Sequence, residues 1–116
     1  MRSITINEDL LICIKSHVES GNNLTFTPQV SGMDFTAYFD NPIDDKLMNT
    51  RLYSWVMDEV FNISEIIDSG KFDGEFHFEI DSATNSLCLI AELSWFEEDA
   101  YDPYHSEILK YSIESE

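Results

Sequence analysis

The sequence predicts an α+β domain, in which an antiparallel sheet of four to five strands carries two or three helices packed mainly on one face. Segments with helical apolar spacing and segments with every second residue apolar follow the order helix, two strands, helix, two strands, tail. The 116 residues are 43% hydrophobic despite a net charge of −17, which is typical of a packed core beneath an acidic surface. With no Gly-, Pro- or Ser-rich linker, the chain is expected to form a single acidic globular domain over residues 1–116.

The first helix is expected at roughly residues 7–20. Asn7 is a favourable N-cap, Glu8 and Asp9 suit the positive end of the helix dipole, and Gly21 lies just past the end. One side of this helix is apolar and is formed by Leu10, Leu11, Ile14 and Val18. An amphipathic helix of this kind packs its apolar side against the core.

Two strands are expected after the polar break at residues 21–23. Residues 24–27 alternate between polar and apolar and stop at Pro28, whereas residues 33–40 alternate as far as Asn41. Because the connection between the two segments is short, the two strands are expected to pair with each other.

The long central segment, residues 44–69, carries apolar side chains at helical spacing. Asp44 or Asp45 can begin this helix, and Gly70 can end it. Such a helix is longer than is usual in globular proteins, so a break near residues 62–64 is the alternative. Both versions remain open at this point.

A hairpin is expected in the second half of the chain. Residues 75–81 alternate, and their apolar side is formed by Phe76, Phe78 and Ile80. A polar turn at residues 82–86 leads into residues 87–95, which are apolar on both faces as far as Ala91. A strand that is apolar on both faces is expected near the middle of a sheet.

The tail from residue 106 to residue 113 allows two interpretations. As a strand, it would place Leu109, Tyr111 and Ile113 on one face. As a short helix, it would align Leu109 and Ile113 one turn apart. The local pattern does not favour either interpretation.

The two cysteines and the N-terminal sequence indicate the cellular compartment. Cys13 and Cys88 each lie in an apolar run, which favours buried thiols over a disulfide. The N-terminal residues reach Glu8 and Asp9 before any apolar stretch long enough for a signal peptide, and no apolar run is long enough to span a bilayer. A cytoplasmic location is the resulting expectation.

Nucleophilic, phosphate-binding and zinc chemistry all lack their usual motifs. No serine lies in a Gly-x-Ser-x-Gly turn, and the glycines fit neither a P-loop nor a dinucleotide fingerprint. The three histidines, His17, His77 and His105, are far apart in sequence, and no His-x-x-x-His or Cys-x-x-Cys pair prearranges a metal site. No catalytic residue, cofactor or metal site is therefore predicted.

Two weaker patterns could indicate a functional site, but each is also compatible with ordinary solvated surface. His77 flanked by Glu75 and Glu79 is the only arrangement that looks like a carboxylate–histidine group, and a solvated strand face is favoured over it. Residues 97–102 contain four carboxylates in six positions, and calcium sites use closely spaced oxygen ligands of this kind. They lack the alternating order of a calcium loop, so a solvated loop is favoured there too.

The acidic charge is concentrated in the second half of the chain. Residues 59–116 hold 15 acids and two lysines, a net of −13, whereas the first 58 residues hold eight acids and four bases, a net of −4. Six bases in the whole chain cannot neutralise a phosphate ladder, and anionic leaflets repel such a charge. These signs exclude direct nucleic-acid binding and membrane-surface binding, and they favour a basic protein partner.

The segment from Trp95 to His105 mixes four carboxylates with four aromatic residues, which is how a surface can grip a basic protein. The predicted partner-binding residues are Glu97, Glu98, Asp99, Tyr101, Asp102 and Tyr104, with a second patch at Asp73, Glu75, Glu79 and Asp81. In size, charge and lack of catalytic motifs, the chain is similar to bacterial immunity proteins and nucleic-acid-mimic inhibitors as broad classes. The leading hypothesis is therefore an antitoxin-type protein that neutralises a nuclease-like toxin by occupying its positive cleft.

Two hypotheses from other classes remain. A structural or adaptor subunit could form a homodimer, because Tyr53, Trp55 and Met57 on the long helix are not expected to face one core together. A small enzyme could use His77 with Glu79, or a carboxylate pair on the hairpin face, as an acid–base group in a pocket over the sheet. This hypothesis requires a concave apolar pocket that contains His77.

Overall fold

A computed structural model describes residues 2–31, 34–61, 63, 72–96, 101 and 104–116. Within these ranges the chain forms six strands and two α-helices, the second of which continues as a π-helical segment. In chain order the elements are β1 (Arg2–Ile6), α1 (Glu8–Glu19), β2 (Thr25–Ser31), β3 (Asp34–Asp40), α2 (Lys46–Trp55), the π-helix Val56–Val60, β4 (Phe72–Asp81), β5 (Ser86–Phe96) and β6 (Tyr104–Ser115). The α+β class is confirmed.

The described strands form one mixed sheet in the order β1-β6-β5-β4-β2-β3. The prediction of a wholly antiparallel sheet of four to five strands is wrong, because β1 adds a strand that runs parallel to β6. Ile4 lies opposite Ile113 in this pairing. A five-residue strand whose partner is at the far end of the chain has no neighbouring turn to reveal it, so local pattern alone does not detect it.

The C-terminal segment is a strand, so the helical alternative is wrong. β6 pairs antiparallel with β5, and this placement buries Leu109, Tyr111 and Ile113 on the same side. Strand β5 lies between β6 and β4, as its two apolar faces predicted. The hairpin of β4 and β5 is likewise confirmed, and β2 pairs with β3 as predicted. The expectation that the first of these strands stops at Pro28 is wrong, because β2 continues through Pro28 to Ser31.

Helix α1 forms as predicted, with Asn7 as its N-cap. The Asn7 Oδ1 atom accepts a hydrogen bond from the Asp9 backbone N–H at 3.0 Å and another from Arg51 Nη2 at 2.9 Å. Leu10 and Ile14, one turn apart, are buried. The second bond ties the start of α1 to α2, so one side chain both caps a helix and joins two elements.

Helix α2 begins after Asp45, whose Oδ1 accepts from the Met48 N–H at 3.1 Å. Regular α-helix ends at Trp55, earlier than expected, and the Phe61 N–H then donates to the Val56 carbonyl at 3.0 Å. This wider i→i+5 winding changes which side chains share a face, and it buries Trp55, Val56, Val60 and Phe61. The predicted continuation through residues 64–69 lies outside the described residues.

Phe26 is at the centre of the core. Its ring is 1% exposed and stacks on Phe76 with a centroid distance of 4.9 Å, and the rings of Phe39, Phe78 and Phe61 lie 5.2, 5.9 and 6.1 Å away. These rings come from three strands and from the end of the π-helix, so one cluster holds the sheet to the second helix.

Both cysteines are free thiols. Cys13 is half-buried against the core and Cys88 is buried, and burial raises the pKa of each thiol. The expected burial is therefore complete for Cys88 and partial for Cys13. In the part of the chain that the structure describes, no helix has the length and apolar character needed to cross a membrane.

Candidate functional site

One face of the sheet carries none of the side chains that form the main core with the two helices. Along β4 and β5, alternate residues such as Phe76 and Leu89 belong to that core, and the intervening residues point the opposite way. We call this second side the open face. On β4, β5 and β6 its central side chains are Glu75, His77, Glu79, Ile90, Glu92 and Ile108.

Carboxylates face each other across the open face. Glu75 on β4 and Glu92 on β5 are directly opposed in the strand register, and both are exposed. Glu79 lies one alternate position beyond His77 on the same strand and is also exposed. Like charges placed directly opposite each other destabilise a sheet, so the pair of Glu75 and Glu92 disfavours the isolated fold.

A groove crosses the open face close to the point where β2 leaves β4. The two strands pair in register only at Thr25 with His77 and at Phe26 with Phe76. The Phe78 N–H donates to the Leu24 carbonyl at 3.1 Å, so the backbone groups of alternate β2 residues, 24, 26 and 28, face β4.

Residue 28 is a proline, and it has no N–H to continue that ladder. The groove has a volume of about 540 Å³. Its lining includes Thr27, Glu75, Glu92, Ser94 and Ile108, and also Leu93 and Glu107, which belong to the other side of the sheet by alternation.

The groove has an apolar wall as well as carboxylates. Ile108 is 70% exposed and lies opposite Glu92 in the register of β5 and β6. Tyr38, which is 56% exposed, lies opposite Thr27 on the neighbouring β2–β3 hairpin. Exposed apolar side chains beside acids are typical of protein-binding surfaces, in which an apolar centre has a polar rim.

The one described lysine on the open face is paired away from the groove. Lys110 Nζ lies 3.3 Å from Asp81 Oδ2, and the Ala83 N–H donates to Asp81 Oδ1 at 2.9 Å. The Ala83 hydrogen bond and then Lys110 lower the pKa of Asp81, and the same pairing with Asp81 raises the pKa of Lys110. No described lysine, arginine or histidine lines the groove.

His77 lies on the open face but not among the groove's lining residues. Its Nε2 is 3.9 Å from Glu79 Oε1, and its side chain is 29% exposed. The enzyme hypothesis, which requires a concave apolar pocket that contains His77, stays a prediction, because His77 does not line this groove and nothing else tests it. No group of three or more metal-ligating side chains is found among the described residues.

Several predicted partner-binding residues share the open face, and others fall outside the description. Glu75 and Glu79 are exposed there, and Asp81 is engaged with Lys110. Tyr101 is fully exposed. Asp73 lies on β4 and Tyr104 on β6, but their side chains are outside the described part, as are the residues Glu97, Glu98, Asp99 and Asp102.

Sequence reasoning missed Glu92, Glu107 and Ile108. Glu92 is the first charged residue after the apolar run of β5, and a strand partner is needed to show that it faces Glu75. Of the predicted acid–aromatic segment, the strand ends Phe96 and Tyr104 are described, and they lie one alternate position beyond Ser94 and Ser106 of the groove lining.

The three side chains expected to leave apolar surface on the long helix pack within the domain, whereas Leu47 on the same helix is 67% exposed. Trp55 is buried and donates from Nε1 to the Thr5 carbonyl at 2.9 Å, and Met57 packs against the core. The ring of Tyr53 lies 6.4 Å from that of Phe39. All three side chains therefore contribute to packing within the domain, and the argument that they leave surface for a dimer is wrong.

Comparison with known proteins finds no match of any of three kinds: no protein-family model, no curated protein and no solved structure corresponds to this chain. The chemical character of the open face is therefore the basis for functional inference.

Proposed function

We propose that this chain is an acidic protein-binding inhibitor that holds a basic partner protein on its open face. The partner that fits the charge best is a nuclease-like toxin, whose positive cleft the carboxylates would occupy as nucleic-acid phosphates do. The observation that carries the proposal is an open sheet face that presents Glu75, Glu79 and Glu92 while the only described lysine on it is paired with Asp81.

Electrostatics suit this role in both rate and specificity. The net charge of −17 draws a cationic protein towards the chain, and such steering raises association rates by orders of magnitude at low salt. Exposed Tyr38 and Tyr101 supply aromatic surface of the kind that anchors interfaces. Charge would therefore accelerate the encounter, and the apolar groups would hold the complex.

The experiment begins with the immobilised chain, used at low salt to capture basic proteins from its native host. Each captured protein is purified, and its nuclease activity is measured with increasing amounts of the chain. The proposal expects stoichiometric inhibition and an association rate that falls steeply as salt is added. If no captured protein is inhibited, the proposal is overturned.

A charge-reversal pair tests whether the open face is the binding surface. Glu75→Lys with Glu79→Lys should weaken inhibition by about tenfold or more, because it places cations on the contact face. The control is Glu19→Lys with Glu59→Lys, which changes net charge equally at exposed positions on α1 and the π-helix. Equal losses from both pairs would mean that net charge acts without a defined surface.

The homodimer alternative is distinguished by light scattering of the purified chain at low and moderate salt. A monomer in both conditions fits the inhibitor proposal. A stable dimer would favour the adaptor hypothesis, and the charge-reversal variants would then show whether the open face forms its interface.

A further inference from the structure

The groove on the open face combines two opposed carboxylates with an exposed aliphatic side chain. We infer that it seats an arginine side chain of a basic partner protein, with the guanidinium between Glu75 and Glu92 and the methylene stem against Ile108. This inference rests on the proposed function, and it adds the chemical group that the site recognises.

The two carboxylates are placed to share one cation. Glu75 and Glu92 form a register pair on neighbouring strands, and side chains so placed have Cβ atoms about 4.5–5.5 Å apart. A guanidinium has five donors in one plane and can bond both carboxylates at once. Its arrival would also remove the repulsion between the two glutamates, so binding relieves a cost that the free protein carries.

Ile108 favours arginine over a bare cation. It is 70% exposed next to Glu92, although isoleucine prefers burial, and the stem of a long cationic side chain can cover it. Lysine also has an aliphatic stem, but its ammonium is a compact and strongly hydrated charge without the planar fork that matches two carboxylates.

The size and position of the groove suit a side chain together with its backbone. The groove is a shallow, open depression lined by residues of β2, β4, β5 and β6, so a side chain and part of its backbone can lie in it together. The groove is bordered by Thr27, where β2 departs from β4 before Pro28. A short segment of the partner can therefore lie along the β2–β3 hairpin while its arginine points towards Glu92.

Other occupants fit less well. A second copy of the chain would bring more carboxylates against Glu75 and Glu92, which like-charge repulsion opposes. A metal ion would need at least three ligating side chains close together, and the described residues contain no such group. A free polyamine shares the positive charge, so it becomes one of the outcomes of the test.

The test uses three short peptides that differ only in a central arginine, lysine or citrulline and whose other residues are uncharged. Spermidine is the fourth ligand. Binding is followed by nuclear magnetic resonance shifts of the amides of Glu75, Glu92 and Ile108. The arginine peptide should shift these amides and bind about twofold to fivefold more tightly than the citrulline peptide, as expected for an exposed charge pair. Equal binding of arginine and citrulline peptides, or equal binding of arginine, lysine and spermidine, would overturn the inference.

Matched variants locate the contact. Glu92→Gln and Ile108→Ser should each weaken binding of the arginine peptide, whereas Glu114→Gln, on the same strand as Ile108 but outside the groove, should leave it unchanged. Circular dichroism of each variant checks folding. An unchanged affinity in the two groove variants would overturn the inference.

The captured partner separates this inference from the proposed function. If the Glu75 and Glu79 reversal abolishes inhibition while Glu92→Gln and Ile108→Ser leave it intact, the groove inference fails and the inhibitor proposal stands. If the arginine peptide binds in the groove but no basic protein is inhibited, the groove is a cation site and the inhibitor proposal fails.

Discussion

The covered face and the open face of the sheet are built from the same strands but follow different physical rules. On β4, Phe76 and Phe78 point into the core and are buried, whereas Glu75 and Glu79 point the other way and are exposed. Stability depends on the covered face, where apolar area leaves water. The exposed positions of the open face bury little apolar area, so they can carry charges that repel one another.

The open face is not uniformly polar, because it also contains buried apolar side chains. Cys88 and Ile90 belong to it by register, yet they are 2% and 8% exposed. They lie outside the main core cluster, on a central strand flanked by β4 and β6. Both side chains are already buried in the chain itself, so the apolar surface that the open face offers to a partner comes from exposed residues such as Ile108 and Tyr38.

The largest expected effect is on the covered face. Phe26→Ala should lower the free energy of unfolding by about 3–5 kcal/mol, because it removes the ring at the centre of the aromatic cluster. Ile108→Ala on the open face should change it by less than about 0.5 kcal/mol. Urea denaturation of both variants measures the difference. Similar losses in the two variants would mean that the open face is packed as the covered face is.

A smaller effect of opposite sign is expected on the open face. Glu92→Gln should stabilise the protein by about 0.2–1 kcal/mol, because it removes the charge opposed to Glu75. The gain should shrink as salt screens the pair. Glu114→Gln is the control, since Glu114 lies opposite uncharged Thr5. Thermal unfolding at low and high salt tests this, and a destabilised Glu92→Gln variant would contradict the repulsion argument.

The pair of Asp81 and Lys110 predicts a pH dependence that opposes the general trend. The pKa of Asp81 is lower in the folded state than in the unfolded state. The ionised carboxylate therefore contributes fully to the free energy of unfolding above the unfolded carboxyl pKa of about 3.9. This contribution is lost as the pH falls through the lower folded pKa. The raised pKa of Lys110 keeps its contribution complete below about pH 10.4, and it is lost as pH rises through the higher folded value.

The measurement is the stability difference between the wild type and Asp81→Asn by urea denaturation at several pH values. The difference should be constant near neutral pH and should shrink at both extremes. A difference that grew in acid would show that the hydrogen bond from Ala83 and the pairing with Lys110 do not favour the ionised carboxylate.

The smallest expected effect is that of the overall net charge on the melting temperature. Moderate salt or mildly acidic pH should raise the melting temperature of the isolated chain, because screening or protonation relieves the excess of −17. Differential scanning calorimetry over a salt series measures this. A melting temperature that fell steadily with added salt would contradict it.

Local pattern predicted the elements whose signals lie within a few residues. Asn7 and the apolar spacing after it predicted α1, and the alternation on both sides of residues 82–86 predicted the central hairpin. The parallel strand β1 was missed, since its partner is about 110 residues away. The π-helical winding after Trp55 was missed as well, because the apolar residues there are also compatible with an α-helix.

The candidate site divides in the same way. Glu75, Glu79 and Asp81 were predicted as one patch, because alternation places them on one strand face. Glu92 and Ile108 were missed, because a residue's neighbours across a sheet depend on register, and register is set by pairings between distant segments.

The sequence by itself determined the α+β class, the net acidic charge and the central hairpin, because composition and periodicity act over short distances. Only the tertiary structure decided that β1 and β6 pair in parallel, that Glu75 faces Glu92, and that a groove lies beside the point where the pairing of β2 with β4 ends. These features depend on which strands become neighbours. Burial of one apolar sheet face under the helices favours this arrangement of strands, and the acidic face remains exposed.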